Sequence, residues 1–87
     1  MDDRLKRLSM RSWRRGMKEM DLILGPWSDL HLSGLSEAEI ADYERLLEEN
    51  DQDLFAVVLG QQEAPAAIAP MMTRISAFAR ERFAKNS

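Results

Sequence analysis

Apolar residues recur along this chain at helical spacing. No stretch alternates apolar and polar residues over the length of a strand, so the pattern predicts an all-α protein. Five segments carry it, over about 3–14, 17–30, 37–49, 52–59 and 70–84. In the first, Leu5, Trp13 and Met17 lie away from an arginine face. Arg4, Arg7, Arg11, Arg14 and Arg15 form that face, within about 100° of helical arc. Met17, Met20, Leu24 and Trp27, with Ile23 beside them, mark the core side of the second segment. Ile40, Tyr43, Leu46 and Leu47 make the apolar face of the third, and Leu54, Phe55, Val58 and Leu59 supply the apolar content of the fourth. Met71, Met72, Ile75, Phe78, Ala79 and Phe83 form a clean last stripe.

The punctuation agrees with these segments. Asp2 or Asp3 suits the first N-terminus. Gly16 costs about 1 kcal/mol against alanine inside a helix and predicts a break there. Gly25-Pro26 is expected to end or kink the second helix, with room for one further turn to Leu30. Ser36-Glu37-Ala38-Glu39 has the form of a capping box. Asn50 reads as a stop, and Asp51 or Asp53 as the cap of the fourth helix. Gly60 is a C-terminal signal. Residues 61–69 read as a loop, and Pro70 fits the first position of the last helix. No repeat, low-complexity segment or linker interrupts the chain. Residues 1–87 therefore read as a single domain, a small five-helix bundle with short connections. The six methionines fall mostly on core faces, where thioether chains fill irregular gaps.

Charge adds an asymmetry that the net value of −3 conceals. Residues 1–18 carry +5, residues 19–63 carry −11 and residues 64–87 carry +3. Pairing of the basic ends with the acidic middle is the first expectation, since it needs no partner. There is no cysteine, which excludes disulfides and thiolate metal sites. No apolar run approaches the ~18 residues of a membrane span. The basic N-terminus lacks an apolar signal core, so neither a secretory signal nor a transit peptide is expected.

Catalytic chemistry is missing from the pattern. His31 is the single histidine, and no carboxylate spacing around it suggests a metal site. A serine triad would have to use that same histidine, and four glycines form no phosphate loop. The acidic residues between Glu37 and Asp53 read as a solvated face. The expectation is no catalytic residue, no metal and no cofactor of its own. The arginine face leaves open a generic helical adaptor or a nucleic-acid-binding module, against the acidic overall charge.

One run is more specific. RSWRRGMKEMDLIL, from Arg11 to Leu24, contains Arg15-Gly16-x-x-Glu19 and resembles the RGxxE region of the succinate dehydrogenase assembly factors, the flavinator family. LSEAEIADYERLL, from Leu35 to Leu47, and NDQDLFAVVLG, from Asn50 to Gly60, are similar to two further blocks of that family, in the same order. Val57 stands where the family often has an aromatic residue. Pro26 stands where many members keep a helix-compatible one.

The resemblance implies a five-helix bundle that is not an enzyme. It implies a chaperone that binds the flavoprotein subunit of succinate dehydrogenase, and in bacteria also that of fumarate reductase. The chaperone would promote the largely self-catalysed covalent attachment of FAD, and the FAD would belong to the partner. The missing transit peptide fits a bacterial cytoplasmic protein, the acidic charge and short apolar runs favour neither nucleic acid nor membrane, and the expected free state is a monomer. The chaperone's partner-binding residues would be Gly16 and Glu19 first, then Arg15 pairing with a partner carboxylate. Arg11, Arg14, Met17 and Asp21 would be neighbours on the same surface. The residues alone also permit a plainer reading, in which Gly16 only allows the helix junction and Glu19 only favours the first turn of the next helix.

Overall fold

A computed structural model describes residues 3–85 and consists of five α-helices. They are α1 (Asp3–Trp13), α2 (Lys18–His31), α3 (Glu37–Leu47), α4 (Asp51–Val58) and α5 (Ala69–Lys85), with a 3₁₀ turn at Leu32–Gly34. No strand occurs among the described residues. The predicted Asp2 cap lies outside them.

α2 is the hub, packing against α1, α4 and α5. Its Met20, Ile23, Leu24 and Trp27 are fully or almost fully buried, in one cluster with Tyr43 and Leu46 of α3, Leu54 of α4 and Met72 and Ile75 of α5. Trp27 stacks on Tyr43 at 5.2 Å between ring centroids and lies 5.1 Å from His31. The Tyr43 hydroxyl is satisfied inside the core. Ser12 Oγ donates to the Leu8 carbonyl at 2.7 Å, so the 2.6 Å contact between Ser12 Oγ and Tyr43 is donated by the phenol. Burial pushes the Tyr43 pKa up to about 12.

The caps follow the expected chemistry in two places. Ser36 accepts from the Glu39 N–H at 3.1 Å while Glu39 accepts from the Ser36 N–H at 2.9 Å, completing the capping box. Gly60 has φ +78, and the Gln61 and Gly60 N–H groups donate to the Ala56 and Val57 carbonyls, a Schellman ending. Pro70 is the second residue of α5, where its missing N–H still has no helical acceptor to lose.

One open alternative is decided and two expectations are corrected. Of the two outcomes open at Gly25-Pro26, the helix takes the longer one: α2 runs through the pair to His31, close to the expected bound at 30. A proline inside a helix costs about 3 kcal/mol. Continuing the chain buries Trp27 and Leu32, each contributing roughly 2–3 kcal/mol, which together exceed that cost. Gly25 is a packing residue, since a Cβ there would stand 2.4–2.6 Å from three atoms of the Trp13 indole. Asn50, not Asp51 or Asp53, caps α4, its side chain accepting from the Gln52 N–H at 2.8 Å. Finally, the buried side of α1 is Leu8 and Ser12, with Leu5 packed against the core, whereas Trp13 is 41% exposed. The arginine face borders this buried side instead of opposing it, which lets its side chains reach α3.

Candidate partner-binding site

Between α1 and α2 the chain turns through residues 14–17. Gly16 makes the turn with φ +97, a region that L-residues with a side chain rarely adopt. It is exposed, and nothing lies within 4 Å of where its Cβ would be. Met17 follows in an extended conformation and heads α2 without a side-chain cap, its own side chain half-buried against the core.

The turn is held from two sides through Arg15. From α2, Asp21 Oδ1 accepts the Arg15 backbone N–H at 2.6 Å. From the α3–α4 junction, three oxygens receive the guanidinium. Nε donates to Asp51 Oδ1 at 2.7 Å, Nη2 to the Glu49 carbonyl at 2.7 Å and Nη1 to the Leu47 carbonyl. The Arg15 side chain is only 10% exposed and that of Asp51 15%. A guanidinium fits this task because its donors sit in a rigid plane and point outward on several sides.

Glu19, the second residue of α2, has the opposite character. It is exposed, and its carboxylate makes no hydrogen bond or ion pair with another described residue. Its position favours a negative charge, because the N-terminal turn of a helix carries partial positive charge. Residues 15–19 and 50–52 line one open depression. Its backbone is bare at Gly16, and its rim carries the unpaired Glu19 carboxylate.

The seven residues expected at this surface therefore separate. Gly16 and Glu19 face outward. Arg14 is exposed nearby. Arg15 and Asp21 hold the turn, and Met17 anchors it to the core. The carboxylate that Arg15 meets is Asp51 of its own chain. Arg11 pairs with Glu48 at 2.9 Å. The sequence reading did not place Asn50, Asp51 and Gln52 at this site. Their signal is the NDQD run, which reads as a helix start and as part of a family-like block, with nothing local to tie it to Arg15.

The arginine face answers the charge asymmetry. Arg4 bridges Glu44 at 2.6 Å and Glu37 at 2.9 Å, Arg11 meets Glu48, and Arg15 meets Asp51. The Arg4 pair holds the Glu44 carboxyl below its ordinary pKa. Among the described residues, Arg7 and Arg14 remain on that face without an ion pair. No group of residues suited to a metal ion occurs among the described residues, and no helix there is long and apolar enough to cross a membrane.

Comparison with known proteins gives this surface a context. The family model described as the flavinator of succinate dehydrogenase matches residues 6–79. A mitochondrial succinate dehydrogenase assembly factor 2 from Dictyostelium discoideum is 40% identical over 60 residues, covering 69% of this chain but 43% of that protein. The FAD assembly factors SdhE of Vibrio cholerae and Haemophilus ducreyi are each 38% identical over 65 residues. Those alignments cover 74% of this chain and 76% and 79% of the two bacterial proteins. No solved structure matches. A family match over most of the helical bundle, with relatives at this identity, settles the membership: the chain belongs to the flavinators of succinate dehydrogenase.

Proposed function

We propose that this chain is an assembly chaperone that binds the flavoprotein subunit of succinate dehydrogenase and promotes covalent attachment of FAD to it. The observation that carries the reading is the pairing of a bare, outward-facing Gly16 with an unpartnered Glu19 in one open depression. An approaching backbone meets no side chain at Gly16, and Glu19 offers a carboxylate to a cation or N–H group beside it. The chemistry of attachment is self-catalysed by the flavoprotein, which owns the FAD. The factor's part is to hold that subunit in a competent conformation. In this proposal the factor acts as a free monomer in the bacterial cytoplasm, with the fumarate reductase flavoprotein as a second client. Nucleic acid is the weaker alternative, since Arg4, Arg11 and Arg15 are already neutralised by carboxylates of their own chain.

The test is made in cells lacking the gene. The succinate dehydrogenase flavoprotein subunit is run on a denaturing gel and covalent flavin fluorescence is read. The expected result is loss of the band with the subunit protein still present. Wild type restores it, while Glu19→Ala and Gly16→Arg do not. An unchanged band, or full restoration by Glu19→Ala, overturns the assignment of this surface.

A further inference from the structure

A turn that presents a glycine for docking must be held by something other than that glycine. Gly16 has the freest backbone of any residue type, and no neighbouring atom packs on its open side. Met17 supplies no capping hydrogen bond to α2. What fixes the turn is Arg15, gripped through its backbone by Asp21 and through its side chain by residues 47–51.

The acceptors differ in kind. Two are main-chain carbonyls. That of Leu47 is one of those a helix leaves unpaired at its C-terminal end. Asp51 is the only side chain among the three, and it carries the negative charge that balances a guanidinium 90% removed from water. All three guanidinium nitrogens already donate within the chain. Two of its five N–H groups are left over, on a side chain 90% removed from water, so little of Arg15 is open to a partner carboxylate.

From this arrangement we infer that Asp51 is a positioning residue for the docking surface, acting through Arg15, and that Arg15 serves that surface from inside the protein. The inference rests on the reading that Gly16 and Glu19 contact the flavoprotein. It goes further by making the α3–α4 junction a determinant of how tightly that contact is made. With Asp51 neutralised, the guanidinium keeps two carbonyls but loses its countercharge. The turn then samples other conformations, and the competent one is a smaller fraction of the population. Affinity falls while the capability of the bound complex does not.

The experiment titrates the factor into purified apo-flavoprotein with FAD and reads covalent flavin fluorescence. It yields a half-saturating concentration and a plateau. Circular dichroism and thermal melts check that each variant is folded. Asp51→Asn is expected to raise the half-saturating concentration about tenfold at an unchanged plateau, and Asp51→Glu, which keeps the ion pair, to return it close to wild type. Arg15→Lys keeps the charge but loses the planar fork, and is expected to be impaired to a similar extent. The Arg15→Lys/Asp51→Asn double variant should be no worse than the poorer single, because both act on one contact.

A folded Asp51→Asn that saturates like wild type, while Glu19→Ala fails, overturns the inference and leaves the docking surface standing. Single effects that multiply in the double variant overturn it too, since Arg15 would then touch the partner directly. If Asp51→Asn does not fold, an impaired Arg15→Lys beside a normal Asp51→Glu supports the inference, and an unimpaired Arg15→Lys overturns it. If Glu19→Ala and Gly16→Arg both saturate normally, the docking reading itself is wrong and the inference goes with it.

Discussion

Arg4 and Arg15 stand on the same face of the chain's N-terminal segment, and both bind carboxylates from its acidic middle. Arg4 spans Glu37 and Glu44 with its own side chain 39% exposed and that of Glu37 84% exposed. Arg15 meets Asp51 and two carbonyls with 10% exposure. By distance the pairs are nearly alike, at 2.6 and 2.9 Å against 2.7 Å. Water makes the difference. An ion pair open to solvent is screened and contributes little. A shielded one leaves an uncompensated charge when either partner is removed. The same residue type, on the same face and with the same kind of partner, is surface charge balance at one end of the segment and a structural fastening at the other.

The comparison breaks most visibly at Arg15. Arg15→Ala is expected to lower unfolding stability by about 3 kcal/mol, read by urea titration, because it strands Asp51 and two carbonyls together. A loss no larger than that of Arg4→Ala would erase the distinction. Next comes the turn that Arg15 fastens. Gly16→Ala is expected to cost about 1–2 kcal/mol in the same titration, from the positive φ alone, since no atom crowds the added methyl. A neutral result would show that the turn relaxes freely. The smallest effect is at Arg4. Arg4→Ala should lower the melting temperature slightly at low salt and not at 1 M salt, whereas the Arg15→Ala loss should persist at both. The Arg4 effect also carries a pH signature. The Glu44 carboxyl is held below its ordinary 4.5 by Arg4, so the stability it lends is fully present above that value and fades as the pH falls through the lowered folded value. The gap between wild type and Arg4→Ala should therefore close on acidification below about 4.5 and stay constant between pH 6 and 8.

How far the chain could be read in advance follows from the range of the forces involved. The five helices were legible because their apolar stripes, the Ser36 capping box and the Gly60 ending are all local. Gly25-Pro26 left two outcomes open because a local breaker was set against burial of Trp27 and Leu32, and burial is decided by the rest of the molecule. The α4 cap is Asn50, and Asp51 instead pairs with Arg15, 36 positions earlier, a contact that no window on the sequence contains. Ser12 was invisible as a core residue for a similar reason. The serine buried there donates to the Leu8 carbonyl and meets the hydroxyl of Tyr43, 31 positions later. At the candidate site, Gly16 and Glu19 stood out as residue types. The separation between side chains that hold the turn and those that face outward depended on which carboxylate Arg15 would find.

The placement of the two tryptophans gives the protein a pair of optical reporters with separate duties. Trp27 is sealed between Tyr43 and His31 and should emit at short wavelength until the core opens. Trp13 lies across Gly25 with its indole N–H on Asp29 and two-fifths of its surface in water, two residues before Arg15. With Trp27→Phe, the remaining emission would follow the neighbourhood of the turn; with Trp13→Phe, it would follow global unfolding. Client engagement and loss of the fold would then be read separately in the two variants, without attaching a dye.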